Sequence, residues 1–281
     1  MNEDFQLDKQ ERKMEITFLG TGTSTGIPII GCPCSVCLSK NPKDKRLRTS
    51  IFVNHNNLNF IIDTGPDLRT QLLTNNIQSC DFAIITHDHS DHLVGIDDLR
   101  PFTFLPKSKS MSVFCHSIHF NKICDRFDYI FKRDIIFNAQ NPYLGGGLPL
   151  LDLKNIDQIN SEIPNLSLDY LLLPHGTGQS LGLIFGQVAY LIDCHDIPKE
   201  ALQKLQSLKL ECVIIDCLQR NPHPSHLTVE KSFEFLSIIN PKKAYLIHMN
   251  HDLQHDWLEK LALSKFSFPV VPAHDGLKIN I

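Results

Sequence analysis

The chain has 281 residues, 42% of them hydrophobic and 21% charged, enough for one large α/β domain or two small ones. With 27 Lys+Arg against 31 Asp+Glu, the formal net charge of -4 gives no sign of the concentrated basic face that a nucleic-acid binder shows. No apolar stretch approaches the ~18 residues of a membrane helix. The polar opening MNEDFQLDKQERK has no apolar h-region, so residues 1–13 read as a short flexible tail before a single domain over 14–281. Nine cysteines without a secretion signal predict a reducing, cytoplasmic compartment, where thiols serve metals or cores.

Taken in chain order, apolar and β-branched runs predict strands at 15–19, 50–54, 58–63, 82–86 and 112–115. Six more follow at 168–173, 181–185, 188–193, 212–216, 244–248 and 276–281. Helices are expected at 67–74 behind Pro66, at 91–99, at 199–208 behind Pro198, at 229–238 capped by Thr228, and from 251 or 252 to 261. Early strands form a meander and later ones alternate with helices. That mixture predicts two sheets packed face to face with helices outside, a four-layer αββα sandwich. Residues 101–150 fit least well. Lys107–Lys109 and Gly145-Gly146-Gly147 suggest a loop or lid that could carry specificity.

The strand at 82–86 runs into His87-Asp88-His89-Ser90-Asp91-His92, which reads H-x-H-x-D-H. His87 and His89 alternate along an extended loop, so both can hold one ion. Asp91 and His92 fall past the turn, within reach of a second ion. Three later strands end on residues of the same kind: His175, Asp193 and His248.

H-x-H-x-D-H followed by His, Asp and His resembles the metal signature of the metallo-β-lactamase fold superfamily over nearly the whole chain. The resemblance implies that His87, His89 and His175 hold one metal, that Asp91, His92 and His248 hold the other, and that Asp193 bridges them. Asp63, which closes Asn59-Phe60-Ile61-Ile62-Asp63, matches the first motif of the superfamily and is expected to orient the histidine loop. Asp at 193 disfavours the class B β-lactamases, which usually carry Cys there. His at 89 disfavours the flavodiiron proteins.

Cys32, Cys34 and Cys37 form C-x-C-x-x-C, a closed zinc site short of one ligand, and His251 is the candidate fourth. With Phe18-Leu19-Gly20-Thr21-Gly22 and His248-x-x-His251, this loop resembles the phosphoribosyl 1,2-cyclic phosphodiesterases of the carbon–phosphorus lyase pathway. In that subgroup the three cysteines and the histidine bind a structural zinc. His226-Leu227-Thr228 resembles the H-x-T element of superfamily phosphodiesterases, whose histidine protonates the leaving oxygen; His223 is a minor candidate beside it.

These features predict a dinuclear metal-dependent phosphodiesterase acting on a small cyclic phosphodiester such as 5-phosphoribosyl 1,2-cyclic phosphate. A hydroxide bridging the ions would attack phosphorus, with His226 as proton donor; His226 and Asp91 are the expected catalytic residues. The active-site ions would be zinc or manganese, with iron admissible, and the thiolate site selects zinc. A tRNA 3′-end endoribonuclease and a thioester or lactone hydrolase are the alternatives. The expected partner is a small phosphodiester. Neither a membrane nor a nucleic acid is expected, and self-association as a homodimer is allowed for. Thr177, Gly178, Thr21–Ser24, Arg69 and Arg100 are candidate phosphate contacts.

Overall fold

Successive side chains of a strand point to opposite faces of its sheet, and this chain fills both faces with apolar groups. In β9 (Val188–Leu191), Val188 and Tyr190 enter one buried cluster while Ala189 and Leu191 enter another. In β3 (Leu58–Ile62), Phe60 and Ile62 join the cluster of Val188 and Tyr190, whereas Ile61 belongs to a third. Strands buried on both faces need a layer on each side, and the computed structural model has them: two sheets face each other and helices cover the outside. It describes residues 14–104, 110–137, 141–142 and 147–281. The predicted tail 1–13 and the loop features Lys107–Lys109, Gly145 and Gly146 lie outside them.

One sheet has the order β13 (Lys278–Asn280), β1 (Glu15–Gly20), β2 (Ser50–His55), β3, β4 (Phe82–Ile84), β5 (Met111–Cys115), β6 (Leu151–Asn155). The other has the order β12 (Val270–Pro272), β11 (Lys243–Ile247), β10 (Cys212–Asp216), β9, β8 (Gly178–Phe185), β7 (Leu168–His175). Each sheet is antiparallel at one end and parallel at the other. Aromatic rings fill the space between sheets: Phe60 stacks on Phe82 at 4.8 Å and meets Phe185 of the opposite sheet edge-on at 5.8 Å. The outer helices are α1 (Leu68–Thr74), α2 (Ser90–Leu93), α3 (Phe120–Arg126), α4 (Asp128–Phe131), α5 (Arg133–Ile136), α6 (Ile159–Glu162), α7 (Lys199–Ser207), α8 (Val229–Ile239) and α9 (His255–Lys265). Leu68 and Leu72 seal one outer layer; Leu205, Leu236 and Leu258 seal the other. No helix among the described residues is long and apolar enough to cross a membrane.

Two helices differ from expectation. The helix predicted at 91–99 is only α2, followed by a 3-10 turn over Ile96–Thr103. The Gly95 amide is spent on the Thr64 carbonyl (2.8 Å), and a Cβ at Gly95 would lie 2.0 Å from the Gly65 oxygen, so the chain is pinned there. The last helix starts at His255 instead of 251 or 252, because Arg46 takes the carbonyls of Asn250 and Leu253 (3.0 and 2.6 Å). The strands β6 and β12 and helices α3–α6 had no counterpart among the predicted elements.

Candidate metal centre

Strands β3 and β9 stop short of their predicted ends because the backbone turns left-handed at Asp63 (φ 66°) and Asp193 (φ 49°); β11 gives way to His248 (φ 62°) in the same manner. Such backbone is sparsely populated away from glycine and persists only where its surroundings hold it. Two serines do so in matching fashion. The Ser50 hydroxyl lies 3.1 and 2.8 Å from the carbonyls of Ile62 and Asp63, and the Ser180 hydroxyl 3.0 and 2.7 Å from those of Ile192 and Asp193.

The predicted residues converge. One ligand atom each from His87, His89, His175 and Asp193 lies within 4.8 Å of the others, and the same holds for Asp91, His92, Asp193 and His248. Asp193 belongs to both sets. Its Oδ2 is 3.5 Å from His87 Nε2, 3.3 Å from His92 Nε2 and 3.7 Å from His175 Nε2. Yet His87 Nε2, His92 Nε2 and Asp193 Oδ1, all buried, make no hydrogen bond. Buried polar atoms that crowd together without pairing are costly unless a further group satisfies them, and a cation would satisfy every one.

The far side of nearly every ring is fixed. Asp63, fully buried, accepts from the Thr86 amide (2.8 Å), the Thr86 hydroxyl (2.9 Å) and His92 Nδ1 (2.8 Å). His87 Nδ1 donates to the Thr86 hydroxyl (3.0 Å) and His175 Nδ1 to the Ser225 carbonyl (2.8 Å). His248 lies between the hydroxyls of Thr49 and Thr23 (3.2 and 3.3 Å). At His87, His92 and His175 these contacts select the tautomer that presents a lone pair inward, the role expected of Asp63 and its neighbours around a metal. Burial, with nearby imidazoles, pushes His87 well below its ordinary pKa, and His175 and His248 to about 4 and about 3. Neutral imidazole is the form that binds a metal. At His92 burial pulls downward, but Asp193, Asp91 and Asp63 outweigh it, which marks a carboxylate cluster suited to cations.

His226 stands beside this constellation. Its ring centroid is 4.9 Å from that of His175 and 4.8 Å from that of His248. Its Nδ1 donates to Asp216 Oδ2 at 2.8 Å. Burial lowers its proton affinity, but Asp216 and Asp193 raise it to about 9. Asp216 was missed in the sequence, although it ends an apolar strand just as Asp63 and Asp193 do. His223 lies outside the ligand sets, 5.1 Å from the His226 ring.

A cavity of about 610 Å³ opens beside His87, His89 and His175, walled by Asp88, His119, Lys122, Thr177, Gln179 and Ser225. Thr177 and Gly178 line it as expected. Thr21 does not: it is buried and donates to Asp275 (2.8 Å). Arg69 and Arg100 line none of this cavity, and Arg100 reaches the Gly147 carbonyl instead.

The thiolate loop forms a separate cluster. His251 Nδ1 lies 3.2, 3.5 and 3.8 Å from the sulfurs of Cys32, Cys34 and Cys37. The Cys37 amide donates to Cys34 Sγ (3.4 Å) and holds that thiol below its ordinary range against the pull of burial. Arg46, buried with Asp44 (3.4 Å), ties the segment behind this loop to the one that carries His251.

A family model described as the beta-lactamase superfamily domain matches residues 58–249, which include all seven imidazoles and carboxylates of the two sets. The chain belongs to the metallo-β-lactamase superfamily. It is a hydrolase of that fold. The superfamily also stands close to this chain through a solved structure described as a new diphosphatase from the PhnP family: TM-score 0.81, 30% identity, 95% of this chain and 97% of that one. Zn(2+)-bound PqqB from Methylobacterium extorquens (TM-score 0.74, 15% identity, 95% and 100% covered) shares the fold. So does human tRNase Z, short form (TM-score 0.62, 15% identity, 94% and 98% covered). An octanoyltransferase of Porphyromonas gingivalis (strain ATCC BAA-308 / W83) is 35% identical over 271 residues, which are 95% of this chain. The chain spans about half (52%) of the length of that relative. The superfamily implies divalent metal ions, and the unpaired inward atoms of His87, His92 and Asp193 fit them.

Proposed function

We propose that this hydrolase is a dinuclear metal-dependent phosphodiesterase that opens a small cyclic phosphodiester such as 5-phosphoribosyl 1,2-cyclic phosphate. The observation that carries the reading is the His226–Asp216 pair, a half-buried histidine held by a buried carboxylate and set against the rings of two ligand-set histidines. Thioester hydrolysis expels a thiolate, which asks for less acid assistance than the alkoxide of a phosphodiester does; a lactone also expels an alkoxide and is separated by assay.

His87, His89, His175 and Asp193 would hold one divalent ion, and Asp91, His92, Asp193 and His248 the second. Cys32, Cys34, Cys37 and His251 would hold a structural zinc. Ions in the first two sets supply positive charge against phosphoryl oxygens and a water acidic enough to ionise near neutral pH. The protein does the rest. Asp63, Thr86, Thr49 and Ser225 keep the rings in register, and the cavity beside them gives room for the substrate. His226 Nε2 releases its proton to the departing ester oxygen, and Asp216 stabilises the imidazolium until then. The diphosphatase relative supports phosphorus–oxygen chemistry as the reaction class.

The test is a metal count followed by turnover on a bis-aryl phosphodiester, ribose cyclic phosphates, pre-tRNA, a thioester and a lactone. Cyclic phosphodiester should be the best substrate. Preference for pre-tRNA or for the acyl substrates would replace this reading with one of its alternatives.

A further inference from the structure

Five of the six imidazoles at the centre have their far nitrogen, or the whole ring, fixed by a protein acceptor or hydroxyl. His89 is the exception. Its Nδ1 faces His175 Nε2 at 3.1 Å, so Nδ1 is the inward atom. Its Nε2 has no partner among the described residues, and the residue is exposed while the other three members of its set are buried. A ligand whose outer nitrogen is held by no protein group depends on its backbone for orientation.

That backbone is gripped on both sides of His89. Asp88 accepts from His119 Nδ1 (2.7 Å) through one carboxylate oxygen and from Lys122 Nζ (3.1 Å) through the other. Arg126 Nη1 donates to the Asp88 carbonyl (3.0 Å) and lies 3.5 Å from the Ser90 hydroxyl. All three gripping side chains come from one stretch, the residue before α3 and α3 itself. Neither Asp88 nor Ser90 belongs to the ligand sets, and the metal signature leaves both positions free.

We infer that His119, Lys122 and Arg126 form a positioning clamp that sets His89 through Asp88 and Ser90, in place of a protein partner on the ring. The inference rests on the two-ion reading. Lys122 and Arg126 are exposed, so their pairs contribute little to global stability. Removing them should therefore act on the ion held by His89 and leave the fold alone. His119 and Lys122 also wall the cavity, which makes one surface serve both substrate and ligand loop.

The experiment follows chelator competition against the metal-loaded chain, with Lys122→Ala and Arg126→Ala, both at exposed positions, beside wild type and melting of the stripped proteins as control. One ion should be lost about 10–100-fold more easily in each variant, the range seen when outer-shell partners are removed. The other active-site ion and the thiolate-bound zinc should be retained, and the stripped proteins should melt alike. Arg126→Lys, which keeps a cationic donor, should recover most of the affinity. Variants that resist the chelator as wild type does would overturn the clamp. So would uniform loss of every ion together with a lower melting temperature, since that is a plain folding defect. A wild-type chain that binds no ions at the imidazole sets would overturn the two-ion reading itself, before any variant is made.

Discussion

The molecule carries two clusters of candidate metal ligands, and they are built on opposite plans. The thiolate cluster gathers Cys32, Cys34, Cys37 and His251 from two loops, four protein atoms for one tetrahedral ion, and no residue of it lines the cavity. The imidazole cluster spreads seven residues over two sets that share Asp193, and three of the seven form one wall of the cavity. A closed set leaves nothing for substrate to displace; an open set beside a cavity and the His226–Asp216 pair is what the proposed turnover requires. The contrast between brace and reactor is a matter of what surrounds the ligands more than of ligand count.

The sharpest way to break the contrast is Asp193→Ala. Both imidazole sets lose a member, so two ions and all diester turnover should disappear while one zinc stays, as elemental analysis would show. Next is His226→Ala, which should cost about 10²–10⁴-fold in kcat with all ions kept; full activity would remove His226 from the chemistry. The pH profile follows from the same residue. Its folded pKa of about 9 lies above the ~6.5 of a free histidine, so the donating form persists through neutrality and is lost as pH rises through about 9. Diester kcat should fall on that limb. The stability this shift contributes is likewise full below ~6.5 and lost as pH rises toward 9. Asp216→Asn should move the limb downward, and an unmoved limb would assign it to another group. The smallest effect on turnover is expected for Cys34→Ser: one ion fewer, a lower melting temperature, and kcat largely preserved. A kcat collapse there with unchanged melting would erase the distinction between the two clusters.

Much of this was readable from the sequence because the ligands cluster in sequence or follow apolar strands. His87, His89, Asp91 and His92 sit in six residues, and His175, Asp193 and His248 each close an apolar run. The sandwich was legible for a similar reason: its central strands are buried on both faces and read as unbroken apolar stretches. Asp216 carried the same strand-end signal but matched no expected ligand, so only its bond to His226 gives it meaning. The clamp on Asp88 had no local signature, since His119, Lys122 and Arg126 act across about thirty residues of chain. The break at Gly95 was equally hidden, because it depends on Thr64 and Gly65 approaching from another element.

The shared Asp193 has a consequence for assembly. Each ion set takes two members from the segment after β4 in one sheet and two from strand ends in the other: His87 and His89 of the loop with His175 and Asp193, then Asp91 and His92 of α2 with Asp193 and His248. Neither half of the molecule owns a complete site. If ions occupy these sets as proposed, a chain whose sheets have not docked in register would offer only half-sites, and tight loading would follow docking. In refolding, ion capture should lag behind sheet formation, and capture by the isolated first half would refute the idea.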